Sequence, residues 1–339
     1  MNGRDGRLFA LGKAIFAVAA WGGSFVATKI ALRELDPLSL VWTRFAIGVV
    51  VLGGVVLWRK QLRPIGRGEI AYFSLLGFVG ITFHQWLQSN GLVTSQATTT
   101  GWIIATTPLF IALLGAIFLR ERLGLGRVMG IVLAAIGVLL VVTRGDLRSL
   151  GGDLRGIGAP GDVLILLSAP NWAVFSIISR HGLQRHPAAR MMFFVMVLGW
   201  LFTTALWLAG RGPHTIPHLS AGGLGAVLFL GVVCSGVAYM YWFDALERIP
   251  ASQVGALLYL EPLVTVAVAA SLLHEGIRFG TLAGGAIILL GVWIVTRAPI
   301  ARDAAPPAGS RASRHDGPHD GPHGGPPGDP AGGPAGGPA

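Results

Sequence analysis

The chain has 339 residues, of which 53% are hydrophobic and only 12% are charged, about half of the charged fraction of a soluble domain. This composition argues against a soluble enzyme and against a disordered scaffold, and it fits a chain whose solvent is the bilayer. The net charge of +10 comes from short basic clusters that offer nucleic acid no continuous face, and the single cysteine, Cys234, rules out disulfides and thiolate metal clusters.

Ten apolar runs follow one another along the chain, and each has about the length that crosses the roughly 30 Å hydrocarbon core. The runs cover residues 11–32, 40–58, 70–91, 97–119, 128–143, 163–179, 191–209, 224–243, 251–273 and 281–296. Each run is predicted to be a helix, because no water is present at that depth to bond the backbone. The predicted fold class is an all-α integral membrane protein with ten transmembrane helices.

The basic residues are distributed unevenly between the two sides of the membrane. Roughly 18 of the 26 lysines and arginines fall on the side that carries the N-terminus, if ten helices cross. The loop at 144–155 runs against this bias, with three arginines on the poorer side. We predict a multi-pass protein of the inner membrane with both termini in the cytoplasm.

The second half of the chain repeats the first. A shift of 154 residues places Pro108 on Pro262 and Glu121 on Glu275, together with seven other identical residues. Each repeat holds five runs, an odd number, so the second copy is predicted to enter the membrane inverted. Inverted repeats are typical of secondary transporters, whose sites lie where the halves meet. The predicted domains are a first repeat at 8–145, a second at 158–298 and a disordered, cytoplasmic Pro/Gly/His-rich tail at 299–339.

Three segments carry a family resemblance. They are WGGSFVATK in the first run, PLFIALLGAIFLRER at the end of the fourth, and LEPLVTVAVAASLLHE in the ninth. Over about residues 10–297 the sequence resembles the EamA-type exporters of the drug/metabolite transporter superfamily. The resemblance implies two five-helix repeats, cytoplasmic termini and a central cavity lined by helices 1, 3, 4, 6, 8 and 9. It also implies export of small metabolites, amino acids or amphipathic compounds by alternating access.

Glu261 lies near the middle of the ninth run, directly before Pro262, which removes a backbone donor and loosens the helix there. A charge at this depth costs about 2.5–3.5 kcal/mol even on a lenient scale. We therefore predict a cavity-facing carboxylate that binds a cationic group or exchanges a proton; the alternative is a packing carboxylate bonded to a neighbouring helix. Thr107 and Pro108 occupy the corresponding positions in the fourth run, so both prolines are predicted helix breaks.

Other polar and aromatic side chains of the runs are predicted to line the same cavity. The complete predicted set is Glu261, Gln253, Thr99, Thr107, Trp102, His84, Gln85, Gln88, Tyr239, Trp242, Trp21, Ser24, Asn171 and Trp172. Each has a structural alternative: threonines bond their own helix, amides bond between helices and tryptophans anchor at the interface. His84 is the second candidate for proton coupling, because imidazole titrates near neutral pH.

Several charged and small residues are assigned structural roles. Lys29 and Arg44 are expected to extend to the lipid headgroups rather than bind substrate. Glu121 and Glu275 lie at helix ends among basic residues, so they are expected to cap a helix or form ion pairs. The G-x-x-x-G pairs at 126–130 and 280–284 predict close helix packing, with a homodimer interface as the alternative.

The predicted function is that of a secondary transporter and not of an enzyme. The sequence holds no H-E-x-x-H, G-x-S-x-G or Walker motif. The alternatives are an importer or nucleotide-sugar-type exchanger of the same superfamily, or a non-transporting membrane sensor. The expected partners are a small-molecule substrate, the lipid bilayer and a proton, without nucleic acid, metal or cofactor.

Overall fold

The computed structural model describes residues 3–119, 124–145, 159–210, 219–246, 248–249 and 257–297. Every regular element in this part of the chain is helical. The helices are α1 (Gly3–Ala31), α2 (Pro37–Trp58), α3 (Arg67–Thr94), α4 (Ala97–Ile104), α5 (Thr107–Leu119), α6 (Leu125–Val142), α7 (Pro160–Leu183), α8 (Ala188–Ala209), α9 (Ala221–Ala245), α10 (Glu261–Leu272) and α11 (Phe279–Arg297). Glu121, Gln253 and the tail at 299–339 lie outside the described residues.

Six of these helices, α1, α2, α3, α7, α8 and α9, are long and apolar enough to cross a membrane. Shorter apolar helices occur at 128–142, 257–272 and 279–295. The apolar runs of the sequence account for both groups, since a helix satisfies its own backbone in hydrocarbon. The prediction of an all-helical membrane protein is confirmed.

Two helical stretches are interrupted at matching positions of the two repeats. The predicted fourth run breaks at Ala105 and Thr106, and α5 begins at Thr107, directly before Pro108. A short 3₁₀ turn at Leu257–Leu260 precedes α10, which begins at Glu261, directly before Pro262. Since proline fits the first turn of a helix and not its interior, each break falls where the proline requires it.

The third and eighth predicted runs also share a feature, because each contains a π-helical stretch. In α3 it covers Phe78–Phe83, and in α9 it covers Phe229–Ala238. A π-helix misaligns the backbone and leaves carbonyl groups for other partners, and such stretches are frequent at functional sites.

Helices α6 and α11 pack against each other along their glycines. A Cβ on Gly137 would lie 2.7 Å from the Gly284 carbonyl oxygen, and one on Gly291 would lie 2.7 Å from that of Gly130. The predicted close packing is therefore confirmed for Gly130 and Gly284, and it is made within one chain. Gly126 is exposed. A homodimer stays a prediction.

Contacts between helix ends divide those ends into two sets, one joined through Lys29 and Glu275 and the other through Asp244. One set includes Ala31, Pro37 and Thr94, and Glu275 follows α10 at the same end. The opposite set includes Trp58 and the last turn of α9, with Asp244. We call the first set the Glu275 end and the second set the Asp244 end.

Candidate functional site

The first helix of the chain crosses α10 beside Glu261. Thr265 Oγ1 lies 2.9 Å from the carbonyl oxygens of both Gly22 and Glu261, so its proton is shared between α1 and α10. A Cβ on Gly22 would lie 2.8 Å from the Glu261 carbonyl oxygen, and one on Gly101 of α4 would lie 2.9 Å from Thr265 Cβ. Three helices from the two halves of the sequence thus meet at Thr265, which is fully buried.

Glu261 is the first residue of α10 and is partly buried. No described residue donates a hydrogen bond to its carboxylate. The amides of the first turn of α10 form the positive end of the helix dipole, which favours a negative charge at this position. The helix terminus thus stabilises the carboxylate, whose oxygens accept no hydrogen bond from the described part of the chain.

An aromatic cluster adjoins this crossing. Trp21 Nε1 donates to the Cys234 carbonyl oxygen at 3.2 Å, within the π-helical stretch of α9. Its ring centroid lies 5.5 Å from that of Tyr239 and 5.2 Å from that of Trp242. Ser24 donates to the Trp21 carbonyl oxygen, so its hydroxyl satisfies its own helix. Three of the predicted cavity residues, Trp21, Tyr239 and Trp242, are brought together.

A second cluster occupies the corresponding place in the other half. Asn171 Nδ2 donates to the Val79 carbonyl oxygen at 2.9 Å, within the π-helical stretch of α3. The ring centroid of Trp172 lies 4.8 Å from that of His84. His84 is buried, and among the described residues its Nδ1 has no hydrogen-bond partner. Gln88, on the same helix, is partly buried.

Arg44 does not reach the headgroups, so that expectation is wrong. The side chain is 6% exposed, and its Nη1 donates to Gln85 Oε1 at 3.0 Å while its Nε lies 3.3 Å from Ser235 Oγ. The reason is position: Arg44 lies about 10 Å along α2 from its first residue, on the face that packs against α3 and α9.

Not every predicted residue joins these clusters. Trp102 packs on α11, where a Cβ on Gly285 would meet its ring at 2.5 Å, and its Nε1 has no partner in the described part of the chain. Thr107 Oγ1 donates to the Ile104 carbonyl oxygen at 2.7 Å and so bonds the helix break itself. Thr99 is buried in α4.

Glu275 holds the start of α4. Its two carboxylate oxygens accept hydrogen bonds from the backbone amides of Ala97 and Thr98, both at 2.9 Å. Nearby, Lys29 donates to the Ser95 carbonyl oxygen and the Ser95 hydroxyl donates to Asp162. These contacts tie α1, α4 and α7 together at the Glu275 end.

A compact ion cluster ties helices at the opposite end. Asp244 accepts from Lys13 Nζ at 2.6 Å and from both terminal nitrogens of Arg59, at 2.7 and 2.9 Å. The carboxylate is 12% exposed. Sequence reasoning missed Asp244 and assigned Arg44 to the lipid headgroups. The signal for Arg44 was its place inside an apolar run, the same feature that singled out Glu261.

The two repeats also match a known family. The model of the EamA-like transporter family matches residues 8–143 and 159–297. The chain belongs to the EamA-like transporter family. It is a membrane transporter and not an enzyme, as predicted. A crystal structure that is 20% identical shares the fold, with a TM-score of 0.59 over 85% of this chain and 97% of the other.

Several relatives of this transporter match almost end to end. An uncharacterized transporter of Archaeoglobus fulgidus is 30% identical, over 87% of this chain and 98% of its own length. A probable amino-acid metabolite efflux pump of Salmonella typhimurium is 28% identical, over 87% and 95%. A probable terminal-alkyne amino-acid exporter of Streptantibioticus cattleyicolor is 26% identical, over 86% and 96%. The predicted family is confirmed by these matches.

Proposed function

We propose that this transporter exports amino-acid-like zwitterions by alternating access. In this proposal ten spans form two repeats, residues 8–145 and 158–298, inserted in opposite orientations in the inner membrane. The fourth and ninth spans are the broken ones. Both termini lie in the cytoplasm, which places the Asp244 end inside and the Glu275 end outside.

The observation that carries the proposal is the matched pair of helix breaks. Thr107 and Glu261 each begin a helix, directly before a proline and 154 residues apart in the sequence. Discontinuous helices at the meeting point of inverted repeats are where secondary transporters bind substrate. The shared contact of α1, α4 and α10 at Thr265 supports the same meeting point.

Glu261 supplies the charge at this point. Its carboxylate, which accepts no hydrogen bond from the described residues, would bind the ammonium group of the substrate or carry the exchanged proton. His84, which is buried and whose Nδ1 has no partner among the described residues, would be the second proton carrier. The names of the Salmonella and Streptantibioticus relatives support the choice of amino-acid-like solutes.

The test compares solutes released into the medium by cells that express the wild type, Glu261→Gln or an empty vector. We expect the wild type to release amino-acid-like solutes and Glu261→Gln to release no more than the vector. Glu34→Gln is the matched control, because it makes the same change outside the predicted spans and should release as much as the wild type.

Two results would contradict the proposal. The first is equal release by the wild type and the vector when both repeats are inserted at the cell surface. This result would rule out export and leave import as the alternative. Full release by Glu261→Gln would remove the role of the carboxylate. Uptake of the same solutes by the expressing cells would identify an importer.

A further inference from the structure

Arg44 is a buried cation, and its partners in the described part of the chain are all neutral groups. Gln85 and Ser235 contribute an amide oxygen and a hydroxyl, and the ring of Phe45 lies 5.1 Å from Arg44 Cζ. Among the described residues, no carboxylate lies within 4.0 Å of the guanidinium. A buried charge without a counter-ion is unfavourable, so an anion from outside the described residues would stabilise this site.

The remaining donors of Arg44 have the geometry for that anion. A guanidinium has five N–H groups in a rigid plane. One is directed to Ser235 and one to Gln85, which leaves three on the two terminal nitrogens. Two parallel N–H groups on such a fork bind both oxygens of a carboxylate. Gln85 and Ser235 therefore hold the guanidinium from two helices, and no other hydrogen-bond acceptor for it lies among the described residues.

The position of Arg44 fits a substrate site. Arg44, Gln85 and Trp21 lie about 10–15 Å along their helices from the Glu275 end, and Glu261 lies at a similar depth on α10. Ser235, which Arg44 Nε contacts, follows Cys234, whose carbonyl oxygen accepts a hydrogen bond from Trp21. The guanidinium thus borders the aromatic cluster at the crossing of α1 and α10.

The charges of the two halves are complementary. Under the repeat, Arg44 corresponds to the apolar stretch 195–198 and Glu261 corresponds to Thr107. The first half therefore contributes a positive charge, Arg44, and the second half a negative charge, Glu261. Neither charge has a counterpart in the other half. A zwitterion carries the matching pair, an ammonium for Glu261 and a carboxylate for Arg44.

We propose that Arg44 binds the carboxylate of the transported solute, with Gln85 and Ser235 as positioning residues for its guanidinium. The inference rests on the proposed function and names the substrate group that this site requires. A merely structural role, joining α2 to α3 and α9, would stabilise the fold without discriminating between ligands that differ only at the carboxylate.

The test measures binding to the purified full-length chain by titration calorimetry. The probes are alanine, leucine and phenylalanine, each paired with its amide, which keeps the side chain and amine but has no carboxylate. We expect at least one acid to bind the wild type about 10- to 100-fold more tightly than its amide, the range of a charged hydrogen-bonded pair. In Arg44→Gln this ratio should fall to about one.

Two further variants make the test specific. Arg180→Gln removes the same charge from an exposed position of α7 and should keep the wild-type ratio. Arg44→Lys keeps the charge but not the planar fork, so its ratio should lie between those of the wild type and Arg44→Gln. The comparison of acid with amide on the wild type, together with Arg44→Lys, stands even if Arg44→Gln does not fold.

The outcomes separate this inference from the proposed function. If no acid binds more tightly than its amide, or if Arg44→Gln keeps the ratio, the assignment of Arg44 is wrong. Release of amino-acid-like solutes by cells could still hold in that case, and transport would stand. If the wild type releases no more solute than the vector and also binds no acid more tightly than its amide, both the inference and the proposed function are refuted.

Discussion

Two adjacent glycines of α1 make the crossing at Glu261 testable. A Cβ on Gly22 would lie 2.8 Å from the backbone oxygen of Glu261 and 2.9 Å from Val264 Cβ. A Cβ on Gly23 would lie 3.6 Å from the ring of Phe229, which is an ordinary contact. Alanine is thus tolerated in place of Gly23, whereas alanine in place of Gly22 forces α1 away from α10.

The magnitude follows from the difference between the two variants. Alanine favours a helix over glycine by about 1 kcal/mol at either position, so this contribution cancels. Overpacking in a tight interior costs about 1–3 kcal/mol. We therefore expect the free energy of unfolding of Gly22→Ala to lie about 1–3 kcal/mol below that of Gly23→Ala.

The assay uses the single cysteine of the chain, Cys234, which is fully buried. A thiol-reactive fluorogenic dye reports unfolding when this side chain becomes accessible on heating. Gly22→Ala should unfold several degrees below Gly23→Ala, and Gly23→Ala at or above the wild-type temperature. Equal unfolding temperatures would refute the close approach of α1 and α10.

Three further predictions concern contacts away from that crossing. Asp244→Asn should lower the free energy of unfolding by about 1–3 kcal/mol, because two cations lose a shared carboxylate, and the dye assay measures it. Hydrogen bonds from Ser220 hold the pKa of Glu34 below its usual value. The stability difference between the wild type and Glu34→Gln should be full at neutral pH, and it should disappear as the pH falls through that lowered pKa. Asn171→Leu removes one of the two donors of the Val79 carbonyl oxygen, the other being the His84 amide, and should cost about 0.5–1.5 kcal/mol in the same assay.

The apolar helices were predictable because hydropathy and backbone bonding decide them locally. The breaks before Pro108 and Pro262 were predictable for the same reason, since the proline acts on its own helix. The two π-helical stretches were not predicted. Phe78–Phe83 and Phe229–Ala238 carry no local breaker that distinguishes them from an α-helix.

The partners of buried polar groups could not be predicted from the sequence. Arg44 bonds to Gln85, 41 residues away, and to Ser235, 191 residues away. No periodicity within α2 decides between those partners and the headgroups. Trp102 illustrates the opposite case, because helical spacing grouped it with the threonines of α4 while the structure packs it on α11.

The clusters around Trp21 and Asn171 show how each half of the chain contacts the other. Trp21 of α1 donates to the π-helical stretch of α9, and Asn171 of α7 donates to that of α3. The first helix of each half thus bonds a carbonyl oxygen of the π-helical stretch in the third helix of the other half. These contacts hold the halves together at equivalent places.

The features that follow the repeat and those that depart from it have different roles. Helix breaks and π-helical stretches recur in both halves, and so do the side chains, Trp21 and Asn171, that donate to a π-helical carbonyl oxygen. All three features concern the course or the bonding of the backbone. Arg44 and Glu261 occur once each, and they are the charges at mid-depth. A symmetric framework can open to either side with similar contacts, whereas recognition of an asymmetric solute requires groups that break the symmetry. The chemistry of this transporter is therefore expected in the residues that the repeat does not duplicate.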